Sequence, residues 1–163
     1  MNYFELFDIP VSLKVDSASL SKKYFELQKK YHPDFYTRSS EDEKFDALEK
    51  SSLINKALKT LQNEEETIKY VLQQKQLLEE EEKYTLPPDF LMEMLELNEA
   101  VMEEEPAAVT KKIEAVEAEL YGEVKAIIDT YKEGTTTSEE LLRVKEYYYK
   151  KKYLQRILDR IDG

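Results

Sequence analysis

Between Val109 and Tyr131 the apolar residues Val109, Ile113, Val116, Leu120, Val124, Ile127 and Tyr131 recur in steps of three and four. This is one helical stripe sustained for about six turns. A helix of that length with a single apolar stripe must bury it against other helices, which commits this part of the chain to helix-on-helix packing. Pro106 suits the first turn of this helix, and the stretch from Gly134 to Ser138 breaks the pattern. Beyond the break, Leu141, Val144, Tyr148, Leu154, Leu158 and Ile161 predict a last helix from about Glu139 to Ile161. Ahead of the long seam, Pro88 or Asp89 opens a helix to about Glu105. Its residues Phe90, Met94, Leu97 and Val101 fall within roughly 60° of one another at about 100° per residue. Three such helices predict a three-helix bundle of coiled-coil character. With only three Gly and five Pro in 163 residues, the whole chain is expected to be all-α.

The first half carries the same periodicity in shorter pieces. Asp16 or Ser17 is placed to cap a helix running to Tyr31, with Leu20, Tyr24, Leu27 and Tyr31 on its apolar stripe. A second helix is predicted from about Glu41 to Leu61, with Ile54, Ala57, Leu58 and Leu61 at i, i+3, i+4 and i+7. The two form an antiparallel hairpin. Tyr3, Phe4, Leu6, Phe7 and Ile9, ending at Pro10, offer a short apolar element to close its open side. A further helix over Glu64 to Gln76 is expected to pack Ile68, Val71 and Leu72 against the hairpin or against the domain that follows.

Between the hairpin helices stands His32-Pro33-Asp34. Pro33 cannot continue a helix and drives His32 to extended backbone, so the triplet is predicted to be a tight, exposed turn that presents side chains outward. Lys22, Lys23, Lys29 and Lys30 fall largely off the apolar stripe of the preceding helix, opposed only by Glu26. They make a positive face on a chain of formal net charge -11. An ordinary solvated face is the plain reading of such lysines, and nucleic acid the other habitual partner; the overall acidity argues against nucleic acid. His32 as a general base oriented by Asp34 would need a nucleophile, a second carboxylate or a glycine-rich phosphate cradle, and the sequence offers none of these.

The charge is uneven. Residues 1–73 hold 11 basic and 13 acidic side chains, and residues 74–163 hold 13 and 22. Between the halves, Glu79-Glu80-Glu81-Glu82 and then Pro87-Pro88 read as a boundary, because the acidic run repels itself and the prolines stop helix propagation. On the helix that follows, Leu91, Met92 and Leu95 project away from the buried stripe, beside Glu96, Glu99 and Glu103. An apolar cluster rimmed by carboxylates suits a partner site, and burial of the helix on a second side is the alternative. Tyr147-Tyr148-Tyr149 followed by Lys150-Lys151-Lys152 invites a nucleic-acid reading. Consecutive helical residues diverge, however, so one or two of these tyrosines are expected to enter the bundle.

Asn2-Tyr3-Phe4-Glu5-Leu6-Phe7, the stretch from Tyr24 to Asp34, and Ile54-Asn55-Lys56-Ala57-Leu58 through Leu61 resemble a J domain. Phe90-Leu91-Met92-Glu93 with Leu95-Glu96-Leu97 resembles the start of the C-terminal region of HscB-type co-chaperones, the J-domain proteins of iron-sulfur cluster biogenesis. The resemblance covers nearly the whole chain. It implies a J domain over residues 1–76, an acidic and proline-bearing linker over 77–88, and a three-helix client-binding domain over 89–163. The implied activity is that of a co-chaperone and not an enzyme. It would stimulate the ATPase of a heat-shock-protein-70-class chaperone of HscA or DnaK type and deliver the iron-sulfur cluster scaffold protein to it.

By the same resemblance His32, Pro33, Asp34, Lys22, Lys23, Lys29 and Lys30 would bind the chaperone. Leu91, Met92, Leu95, Glu96, Glu99, Glu103 and Tyr153 would bind the scaffold. The chain departs from the family pattern where Phe35 and Tyr36 follow the aspartate in place of lysine, and where Asn63 to Tyr70 lacks the usual Asp-Pro and Arg-Ala pairs. A J protein for another client, or a helical adaptor without chaperone function, are the alternative readings.

No cysteine and a single histidine leave no basis for a disulfide or a thiolate or histidine metal site, and no cofactor is expected. No stretch approaches the roughly 18 apolar residues of a membrane span, and no leader is evident. The expectation is a cytoplasmic protein of bacterial type, acting on neither membrane nor nucleic acid.

Overall fold

In the computed structural model, which describes residues 2–162, every regular element among the described residues is helical. The elements are α1 (Tyr3–Leu6), α2 (Ser17–Tyr31), a 3-10 turn (Pro33–Tyr36), α3 (Glu41–Leu61), α4 (Glu64–Gln74), α5 (Pro88–Glu103), α6 (Pro106–Asp129) and α7 (Ser138–Asp162). The chain falls into two compact units, residues 1–71 and 72–163.

In the first unit each helix begins where a side chain can take up orphan amide donors. Asn2, Asp16, Ser40 and Asn63 accept the N–H groups of Glu5, Ser19, Glu43 and Glu66, at 2.8, 3.0, 3.2 and 2.9 Å. That bond holds the Asp16 carboxyl below its ordinary range. The hairpin of α2 and α3 buries Leu20, Ala47, Ile54, Ala57 and Leu61, and Phe4, Leu6, Phe7 and Leu13 join them in the core. α1 is tied down by Tyr70, whose hydroxyl accepts the Tyr3 N–H at 2.9 Å while the two rings stack at 4.4 Å. Thr67, fully buried, satisfies its hydroxyl on the carbonyls of Thr60 and Asn63 at 3.0 and 2.8 Å.

The second unit is built on α5, α6 and α7. The long seam is buried along α6 at Val109, Ile113, Leu120, Val124 and Ile127, facing Leu141, Val144, Leu154 and Ile157 of α7. Lys151 lies 3.7 Å from Glu117, and the Arg143 guanidinium donates to the Glu123 carbonyl at 3.1 Å, so α6 and α7 run antiparallel. On the other side, the Tyr153 ring meets Phe90 edge-on at 6.2 Å and Arg160 reaches Asn98 at 2.8 Å, so α5 and α7 run parallel. The three-helix bundle is therefore up, down, up. Gly134, at φ +81, takes the left-handed position in the turn before α7.

The stretch 77–88, expected as a self-repelling linker, is packed into the second unit. α4 ends with the Leu77 N–H on the Leu72 carbonyl and the Gln76 N–H on the Gln73 carbonyl, at 2.9 and 3.0 Å, with Gln76 left-handed at φ +61. This pairing is a Schellman stop. The acidic run then folds back on itself, the Glu79 N–H donating to the Glu82 carboxylate at 3.1 Å. That carboxylate also meets Lys145 of α7 at 2.7 Å, which holds the Glu82 carboxyl below the usual range. Tyr84 stacks on Tyr149 at 4.5 Å. Tyr147 and Tyr148 are buried in the bundle, as the divergence of consecutive helical residues requires.

Candidate functional site

α2 ends because Pro33 cannot supply the next helical donor, and the His32 backbone takes the extended φ -61, ψ 131 expected before proline. The residues that follow are not an irregular loop. Pro33 occupies the first position of the 3-10 turn Pro33–Tyr36, where its fixed φ fits and its missing N–H costs nothing. Three local bonds set the shape: the Phe35 N–H on the His32 carbonyl at 3.0 Å, the Asp34 N–H on His32 Nδ1 at 3.2 Å, and the Tyr36 hydroxyl on the Lys30 carbonyl at 2.7 Å. Nδ1 here faces a backbone donor. Its 3.6 Å approach to the Asp34 carboxylate becomes an ion pair only when the ring is protonated. The Asp34 side chain is 85% exposed.

On α2, Lys22, Lys29 and Lys30 are exposed, whereas Lys23 is half-buried, its ammonium 3.6 Å from Asp8 and 4.0 Å from Glu26. The structure therefore brings three of the four expected lysines to an open face and engages the fourth with carboxylates of its own chain. Phe25, 65% exposed, stands between Lys22 and Lys29 at i+3 and i-4. Sequence reading passed over it, although its position opposite Leu20, Leu27 and Tyr31 was the available signal. Phe35 is as exposed as Phe25, its ring edge-on to His32 at 6.2 Å.

A second surface lies on α5. Phe90, Met94, Leu97 and Ala100 are buried, while Leu91, Met92 and Leu95 are open to solvent, as are Glu96, Glu99 and Glu103. Tyr153 of α7 is half-buried against Phe90. Leu91, Met92, Leu95, Glu96, Glu99 and Glu103 thus lie on the open side of α5, whereas Tyr153 packs on the buried Phe90. The strip also contains Met102, 87% exposed, which sequence reading left out; a step of seven from Leu95 was the signal.

Among the described residues there is no group of three or more His, Cys, Asp or Glu side chains that could hold a metal ion. No described helix is long and apolar enough to cross a membrane.

Comparison with known proteins finds relatives for both halves of the chain. The DnaJ domain family matches residues 2–70, and the family described as HSCB C-terminal oligomerisation domain matches residues 86–162. A co-chaperone protein HscB homolog of Vibrio vulnificus is 39% identical over 104 residues, 63% of this chain and 61% of the relative. Another, of Colwellia psychrerythraea, is 42% identical over 100 residues, 61% of this chain and 57% of the relative. These alignments span about three fifths of the relatives' length. Among solved structures, human co-chaperone HscB superposes with a TM-score of 0.81 at 28% identity, covering 99% of this chain and 81% of that one. Chaperone HscB from Vibrio cholerae superposes with a TM-score of 0.73 at 25% identity, covering 99% and 96%.

Proposed function

Because the chain belongs to the HscB co-chaperone family, we propose that it stimulates the ATPase of a heat-shock-protein-70-class chaperone of HscA or DnaK type and brings the iron-sulfur cluster scaffold protein to it. The observation that carries the reading is the His32-Pro33-Asp34 turn. It is shaped by local bonds and by packing of the 3-10 turn against α3, and it turns the Asp34 carboxylate to solvent where no core requires it.

In this mechanism Lys22, Lys29 and Lys30 draw the chain toward an acidic surface of the chaperone, raising the association rate more than the final affinity. Lys23 contributes less because Asp8 and Glu26 already neutralise it. Once docked, Asp34 pairs with a chaperone cation, and the rigid turn contacts the hydrolysis-competent state better than the resting one. Differential contact of this kind is what a partner needs to shift a conformational equilibrium. Hydrolysis itself takes place on the chaperone. The α5 strip supplies the client, with Leu91, Met92 and Leu95 as apolar anchors and Glu96, Glu99, Glu103 and Tyr153 at their rim.

The test is single-turnover ATP hydrolysis by the cognate chaperone with and without the chain. Wild type is expected to accelerate it, and Asp34→Asn to abolish the acceleration with helical content unchanged. Equal stimulation by the variant would remove the turn from the mechanism.

A further inference from the structure

The exposed apolar residues of α5 do not stop where the carboxylates begin. Leu91, Leu95 and Met102 are 41, 53 and 87% exposed, and with Asn98 between them they follow one another in steps of four, three and four. That is a second complete stripe, about 100° around the helix from the buried one. Its two flanks differ in charge. On the flank away from α7 stand Glu96, Glu99 and Glu103, and among the described residues none of them meets a cation. On the other flank the parallel α7 carries Arg160 up to the stripe, where its guanidinium donates to Asn98 Oδ1 at 2.8 Å. One donor of five is used there, and the group is exposed, so the remaining fork is open to a carboxylate.

The geometry points to a longer and polarised client site. Its apolar floor continues to Met102 and its α7 edge is Arg160, so that it fits an apolar segment of the scaffold protein bearing basic residues on one side and an acidic residue on the other. This rests on the scaffold-binding reading above and extends it to residues outside that set. A uniformly acidic rim would select only for a basic partner. A rim negative on one flank and positive on the other also fixes which way the segment lies, because a reversed segment sets like charges against each other. Met102 suits such a floor, being unbranched and able to conform to the side chain laid on it.

The experiment titrates the full-length chain with the purified apo scaffold protein from the same genome by calorimetry. Met102→Ala is expected to weaken binding about tenfold, and Arg160→Glu by at least as much, while Arg160→Lys retains most of the affinity. Melting temperature and client-free chaperone stimulation should stay at wild-type values in all three.

Wild-type affinity in both Met102→Ala and Arg160→Glu, with binding still lost on truncating Leu91, Met92 and Leu95, would overturn the extension and leave the client assignment standing. Loss of affinity accompanied by an equal fall in melting temperature would make the two residues structural and overturn it as well. A wild-type chain that does not bind the scaffold at all would overturn both readings.

Discussion

α2 and α5 solve the same packing problem and then spend their outer faces differently. Each turns one stripe inward, Leu20 and its neighbours on α2, and Phe90, Met94 and Leu97 on α5. On α2 the outer face is lysine with a single phenylalanine; on α5 it is leucine and methionine edged by glutamate. Exposed lysines act at a distance and lose their reach within roughly 8 Å at physiological salt. Exposed leucines act only on contact, through the area they remove from water. On the function proposed above, the difference teaches that one helix is built to be found quickly and the other to be held.

The largest effect that could break this comparison lies on α5. Replacing Leu91, Met92 and Leu95 together by Ala should cost several kcal/mol of scaffold affinity, each large truncation at a hot spot exceeding about 1 kcal/mol. Thermal stability should hardly move, since all three are exposed. Met94→Ala, on the same helix but fully buried, should do the reverse and cost about 2 to 5 kcal/mol of stability. If calorimetry finds the triple variant unfolding and Met94→Ala harmless, the inner and outer faces have been exchanged and the client site is lost.

Next comes α2. Exchanging Lys22, Lys29 and Lys30 for Gln should slow chaperone association at low salt by about tenfold or more in stopped flow, with dissociation far less changed. Lys23→Gln alone should do much less, because its charge is already engaged. Wild-type association that ignores salt would mean α2 also works by contact, through Phe25, and the contrast would shrink to one of degree.

A smaller effect sharpens the comparison at the level of the units. Glu82→Gln should lower stability by about 1 kcal/mol by removing the charge that Lys145 meets. The Glu82 carboxyl titrates below its ordinary value of 4.5 in the folded chain. Its contribution is therefore fully present above that value and is lost as the pH falls through the folded one. Acid titration followed by hydrogen exchange should show residues 77–86 loosening earlier than the bundle core, and Glu82→Gln removing that pH dependence.

How far this was legible in the sequence follows from the range of each interaction. The bounds of α3 and the cap of α2 were readable because capping and periodicity are local: Ser40 and Asp16 act three residues away. The exposure of Leu91, Met92 and Leu95 was readable because a stripe predicts its own complement. The packed stretch 77–88 was not, since the cation that tames its glutamates is Lys145, 63 positions downstream of Glu82 in the sequence. Arg160 escaped for the same reason, its neighbour Asn98 lying on another helix. Met102 lay within the predicted helix and seven residues beyond Leu95, so its place on the strip was readable, yet it was passed over. The regularity of the Pro33–Tyr36 turn was missed because proline was taken as a stop, whereas here it is also a start.

The stacked and buried tyrosines have a consequence at the far end of the pH scale. The chain has twelve tyrosines and no tryptophan, so its near-ultraviolet spectrum is theirs. In the second unit burial pushes the Tyr84, Tyr131 and Tyr149 hydroxyls up, Tyr149 to about 12 with Glu82 adding to the effect; in the first unit burial raises Tyr70. An unfolded tyrosine ionises near 10, so these side chains stabilise the fold below that value and favour unfolding as the pH climbs past it. Alkali thus acts as a denaturant aimed mainly at the bundle. Phenolate absorbance rising late and steeply, together with loss of the helical signal, is the optical trace this packing should leave.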